Sequence, residues 1–140
     1  MFPPLARFLL PAILLFVLIG CNGSSPTAPH NAAQLIGTWE GELAVSPAGE
    51  DWSRVTLSLE LGGDALTGTL TSRNGVTHPV AGTSFESRVF SLEIRELPHA
   101  NAPCEVTLVV DEVSSTALEG RLSGRCANTL MSRFRLERAR

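Results

Sequence analysis

From Leu35 onward, apolar and polar residues alternate at period two almost to the end of the chain, the pattern of strands with one face buried. The alternation breaks into eight segments, roughly 37–45, 53–61, 65–72, 76–83, 88–95, 104–111, 117–126 and 129–138. The gaps between most of them are short and carry turn residues: Gly62-Gly63-Asp64, Arg73-Asn74-Gly75 and Ser114-Ser115. Short gaps force antiparallel neighbours, because parallel strands need long crossovers. No segment shows a helical period. The pattern predicts an all-β fold, a single antiparallel up-and-down meander. A long sheet with one apolar face curls, and closing it into a small eight-stranded barrel removes the edges that would otherwise pair with other chains.

The inward face follows from the same alternation. It takes Trp39, Leu43 and Val45, then Val55, Leu57, Leu59 and Leu61, then Leu66 and Leu70. Phe90, Leu92 and Ile94 follow, then Val106, Leu108 and Val110, Leu118 and Leu122, and finally Leu130, Phe134 and Leu136. Gly41, Gly68, Gly120 and Gly124 fall on that face too. An inward glycine either lets a strand coil sharply or leaves room for a ligand.

The first 34 residues do not fit this pattern. Met1 to Arg7 carries one positive charge, and Phe8 to Ile19 is an unbroken apolar run. A membrane-spanning helix needs about 20 such residues, and Pro11 interrupts this shorter run. It ends in Leu18-Ile19-Gly20-Cys21, which resembles the bacterial lipobox. The resemblance implies diacylglycerol transfer to the Cys21 sulfur and cleavage after Gly20. Residues 1–20 are then a lipoprotein signal peptide, and 21–34, small, polar and Pro-bearing, a lipidated Cys with a flexible tether. Residues 35–138 are the barrel domain. Asn22 stands where lipoproteins retained at the inner membrane resemble one another in having Asp. The implied site is the cell envelope, lipid-anchored, at the outer membrane facing the periplasm in preference to the inner one.

Gly37-Thr38-Trp39 opens the first strand, and Leu66-Thr67-Gly68-Thr69 lies in the third. With the meander around them, these resemble the lipocalin and avidin (calycin-type) superfamily of eight-stranded barrels. The resemblance implies that Gly37 and Trp39 plug one end of the barrel. It also implies that an Arg of the last strand packs on the Trp, with Arg133, Arg135 and Arg138 available. No segment after the last strand reads as the helix that follows the barrel in lipocalins. The Tyr-rich biotin pocket of avidins has no counterpart, since the chain has no Tyr and only two Trp. The fold is carried over and biotin binding is not.

Charge and motifs narrow the function. The formal net charge is −3, with acidic and basic residues interspersed. No basic stripe exists to follow a phosphate backbone, so nucleic acid is not expected as a partner. There is no Gly-x-Ser-x-Gly, no His-Glu-x-x-His and no phosphate loop. His30, His78 and His99 are scattered without metal-ligand spacing, so no metal or other cofactor is expected and His78 reads as structural. Glu40 and Glu42 could suggest an acid/base pair, but their parity puts them on the outer wall. Arg121, Arg125, Arg133 and Arg135 face outward as well, balanced by nearby Glu. Two non-enzymatic functions remain. One is a binding module for a small apolar ligand in the lumen. The other is an interaction module with a packed core, an envelope assembly factor or an inhibitor of a secreted hydrolase, as small disulfide-bonded barrels similar to this one are.

Two pairings are expected. Export places Cys104 and Cys126 in an oxidising compartment, and Cys21 is consumed by lipid. A hairpin centred on Ser115 aligns Asp111 with Glu119 and Cys104 with Cys126, close enough for a disulfide; the alternative is two buried free thiols. Closure, in turn, pairs the last strand antiparallel with the first and brings Arg133 and Arg135 beside Glu40 and Glu42. A loop from Ala127 to Thr129 would set Arg121 opposite Arg135.

Overall fold

The computed structural model of the chain describes residues 32–45, 47–63, 65–84, 90–98, 104–124, 126 and 132–140. Residues 1–31, with the leader, Cys21 and His30, and also His99, Arg125, Leu130 and Met131 lie outside the described residues; the last three positions assigned to the tether, 32–34, belong to a short helix. A short 3-10 helix, Ala32–Leu35, leads into eight strands. They are β1 (Gly37–Glu42), β2 (Val55–Gly62), β3 (Ala65–Ser72), β4 (Thr77–Ser84), β5 (Phe90–Leu97), β6 (Cys104–Val113), β7 (Ala117–Gly124) and β8 (Ser132–Arg138). Each pairs antiparallel with the next, and β8 pairs with β1, closing the barrel. The 3-10 helix, the β2–β3 and β6–β7 hairpins and the C-terminal residues lie at one end, called lower here. The β1–β2 loop and the β3–β4 turn lie at the upper end.

Two bulges account for strand ends the alternation misplaces. In β5 the register shifts between Ile94 and Leu97, and Glu96 takes a φ of 56°. That extra residue extends the strand beyond 95 and turns Leu97 inward, fully buried opposite Cys104. In β6 the shift falls between Val110 and Glu112. Glu119 therefore faces Glu112 rather than the expected Asp111, and Val113 turns inward. Below 110 the predicted hairpin register holds, with Val106 opposite Gly124.

Closure occurs as expected but with a different offset. Glu42 faces Arg135, whereas Glu40 faces Glu137 and Arg133 does not reach β1. Between β7 and β8, Arg121 sits opposite Arg133, and Arg135 sits opposite Glu119. The β7–β8 register has thus slipped by two residues from the expected one, which keeps every side chain on its face while exchanging its partner. The slip gives Arg135 an acidic neighbour, Glu119, with which it forms an ion pair. The Arg121–Arg133 opposition is relieved by Asp111, whose carboxylate accepts from Arg121 Nε at 3.0 Å and Nη2 at 2.9 Å. That carboxylate raises the Arg121 pKa above its ordinary value.

Among the described residues of the expected inward set, Leu61 is the exception. Leu61 is 40 % exposed, because β2 runs past the rim at its lower end. The glycines serve backbone approach. A Cβ at Gly68 would lie 1.9 Å from the Ser58 carbonyl oxygen, and one at Gly120 1.9 Å from that of Val109. These strands coil onto their neighbours so closely that only hydrogen fits, which is the coiling role and not space for a ligand.

Candidate functional site

The barrel centre is the first place where a ligand could sit. Seven strands each send a fully buried side chain there: Trp39, Leu57, Leu70, Leu92, Leu108, Leu122 and Leu136. β4 contributes Val80, 3 % exposed. A void able to hold even one water would leave reachable surface on the side chains around it. Among the described residues, these side chains leave no surface at the barrel centre that a water could reach.

The lower end is stoppered. Trp39 is fully buried, and its Nε1 donates to the Leu35 carbonyl at 2.9 Å. The Arg138 guanidinium carbon stands 4.1 Å from the Trp39 ring centroid. Arg138 Nε donates to the Ser115 carbonyl at 2.9 Å, and Nη1 to that of Ile36 at 3.0 Å. Of the three arginines available for this place, Arg138 fills it. Gly37 leaves room for it, since a Cβ there would lie 2.3 Å from Arg138 Nη1.

The upper end carries a polar cluster that sequence reasoning missed. β1 leaves the ladder at Glu42, and the Leu43 amide bonds the Trp52 carbonyl at 3.1 Å. The loop between Leu43 and Arg54 then crosses the upper end. Its Ala48 amide donates to the Pro98 carbonyl at 3.3 Å, and Asn74 Nδ2 donates to the Gly49 carbonyl at 3.2 Å. Trp52 is fully buried beneath it. Glu50, its side chain only 3 % exposed, accepts from Trp52 Nε1 at 2.9 Å and meets His78 Nε2 at 2.7 Å. Both carboxylate oxygens are thus engaged, which removes the cost of burying the group without a partner. His78 faces inward because it pairs with Leu70, an inward residue. The signal was in the sequence: Val76, His78, Val80 and Gly82 share one parity. Asp51 fixes the loop from outside. It accepts the Ser53 amide at 2.9 Å, and the Ser53 side-chain hydrogen bond, then this amide bond, with Arg73 nearby, hold its carboxyl below the usual range.

The remaining residues singled out from sequence do not converge. Glu40 pairs with Arg54 at 3.3 Å on the wall, and Glu42 is exposed. Among the described residues, no three His, Cys, Asp or Glu side chains are grouped to hold a metal ion. Cys104 and Cys126 form a disulfide, with Cα atoms 5.0 Å apart. It ties β6 to the segment after β7 at the upper end. Clefts lie on the outer wall: one of about 780 Å³ along β1, between Arg54 and Arg140, and one of about 320 Å³ over Thr38, Ser58 and Thr69. Both open to solvent and are lined by polar and apolar surface in nearly equal measure. No family model, no curated protein and no solved structure matches the chain.

Proposed function

We propose that this chain is a lipid-anchored envelope lipoprotein whose barrel is a non-enzymatic module for binding a protein partner. The observation that carries this reading is the filled centre. Fully buried side chains meet there from seven strands, and the inward glycines are taken up by neighbouring backbone. Of the two expectations drawn from the sequence, the interaction module with a packed core agrees with these buried side chains, since a rigid scaffold presenting its loops and outer wall needs no lumen. The leader ending at Cys21 supports the anchor, and the disulfide agrees with export to an oxidising compartment. The polar cluster at Glu50 and His78 supports a structural role, since each carboxylate oxygen is occupied.

The test is titration of the purified mature protein with an environment-sensitive apolar dye such as N-phenylnaphthylamine. The filled barrel gives no saturable signal. A saturable signal at one dye per chain, abolished by enlarging an inward residue such as Leu70→Trp, would restore the lumen-binding reading.

A further inference from the structure

The chain's exposed large apolar side chains among the described residues are Ile36, Leu61 and Val76. Two of these, Ile36 at 38 % and Leu61 at 40 %, belong to the lower rim. Ile36 immediately precedes β1 and Leu61 lies near the end of β2, on adjacent strands whose lowest ladder pair is Gly37 with Leu59. The described residues of the β2–β3 and β6–β7 turns, Gly63, Ser114, Ser115 and Thr116, are small and uncharged; Glu60 and Glu112 are exposed on the strands beside them, and Arg140 follows β8 at the same end. The upper end exposes the third, Val76, at 38 %, beside Arg73 and Asn74.

The lower end is also where the chain enters the barrel. Eleven peptide units separate Cys21 from Ala32. Such a segment spans at most roughly 36–40 Å. An anchor at Cys21 therefore keeps the lower rim close to the bilayer, at an effective concentration on the order of millimolar. A contact too weak to hold a free protein is populated under that constraint.

We propose that the lower rim docks on the lipid surface, with Ile36 and Leu61 seated at the boundary between headgroups and acyl chains. The occupant is the bilayer, because the tether delivers this end to it and no other. The docked barrel stands with its β1–β2 loop, β3–β4 turn and disulfide turned away from the membrane, toward soluble partners. This inference rests on the anchor at Cys21.

The experiment uses the acylated protein extracted from membranes and reconstituted into vesicles of phosphatidylethanolamine and phosphatidylglycerol. A fluorophore is placed on a cysteine introduced at Ser115 (S115C) or, in a second variant, at Asn74 (N74C), and is quenched by a nitroxide-headgroup lipid. Docking predicts quenching at 115 at least about threefold stronger than at 74. It also predicts that the double variant Ile36→Ser, Leu61→Ser brings 115 down to the level of 74, while the protein still floats with the vesicles and unfolds at an unchanged temperature. Equal quenching at both positions in a chain that carries lipid would overturn the docking and leave the anchor standing. A chain recovered without lipid on Cys21 would overturn the anchor and the docking with it.

Discussion

Arg138 covers Trp39, its guanidinium carbon 4.1 Å from the ring centroid. The contact joins the last strand to the first, and through the carbonyls of Ile36 and Ser115 it also joins the chain entry to the β6–β7 hairpin. A cation over an indole, together with two charge-assisted hydrogen bonds, is worth about 2 kcal/mol. Arg138→Ala is expected to lose about that much in urea unfolding. Arg138→Lys, which keeps the charge without the planar fork, is expected to recover only part of it. A loss within about 0.5 kcal/mol for the alanine variant would mean that the stopper stands without its cation.

Gly68 and Gly62 make a controlled pair. A Cβ at Gly68 meets the Ser58 carbonyl oxygen at 1.9 Å, whereas at Gly62 the nearest contact is Thr67 Oγ1 at 3.8 Å. Gly68→Ala is expected to cost about 2 kcal/mol or more, because backbone must move. Gly62→Ala is expected to be neutral or slightly stabilising, through the entropy of the unfolded chain. Similar midpoints for the two variants would refute the close-approach account of the inward glycines.

The disulfide closes a loop with a sequence separation of 22. Loop-closure entropy for that length gives about 3 kcal/mol. The Cys104→Ser, Cys126→Ser protein should be less stable by an amount of that order. The wild-type chain, unfolded without reductant, should expose no thiol from this pair to maleimide labelling.

Asp51 gives a pH dependence with a definite sign. Its carboxyl is held below the ordinary value chiefly by the Ser53 hydrogen bonds, with Arg73 contributing. A group lowered in the folded state stabilises the fold above its unfolded titration range, near pH 4, and that contribution disappears as pH falls through the folded value. A carbon-detected titration should place the Asp51 midpoint below that of an unstructured Asp. Asp51→Asn should make unfolding less sensitive to acid in that window. A midpoint at or above the ordinary value would remove Asp51 from the loop's support.

Anchoring has its own test. Labelled palmitate is expected to enter the wild-type chain and not Cys21→Ser, which should accumulate as precursor. The tether has no basic or amphipathic segment to hold a membrane by itself. Cleaved Cys21→Ser protein that remained membrane-bound would contradict the anchor.

Alternation alone made the barrel legible, because period two fixes which face each residue takes and a closed meander is what eight such strands form. It fixes register only to within a multiple of two residues. The slip of two residues between β7 and β8 leaves every face unchanged, so Arg135 opposite Glu119 and Arg135 opposite Arg121 look alike to the pattern. Bulges at Glu96 and Asp111 are likewise invisible, since each needs one extra residue that no turn signal marks. The upper cluster escaped for a different reason. Trp52 and Glu50 lie in a loop, where alternation says nothing, and their burial depends on His78 from a strand far away in sequence.

The account stands on a filled barrel, and native mass spectrometry of the protein released from membranes in mild detergent tests it most directly. The predicted spectrum is the acylated chain beginning at Cys21, alone or in complex with a protein partner, with no small molecule held by the barrel. A stoichiometric apolar ligand that survives on the folded chain and leaves on unfolding would contradict it.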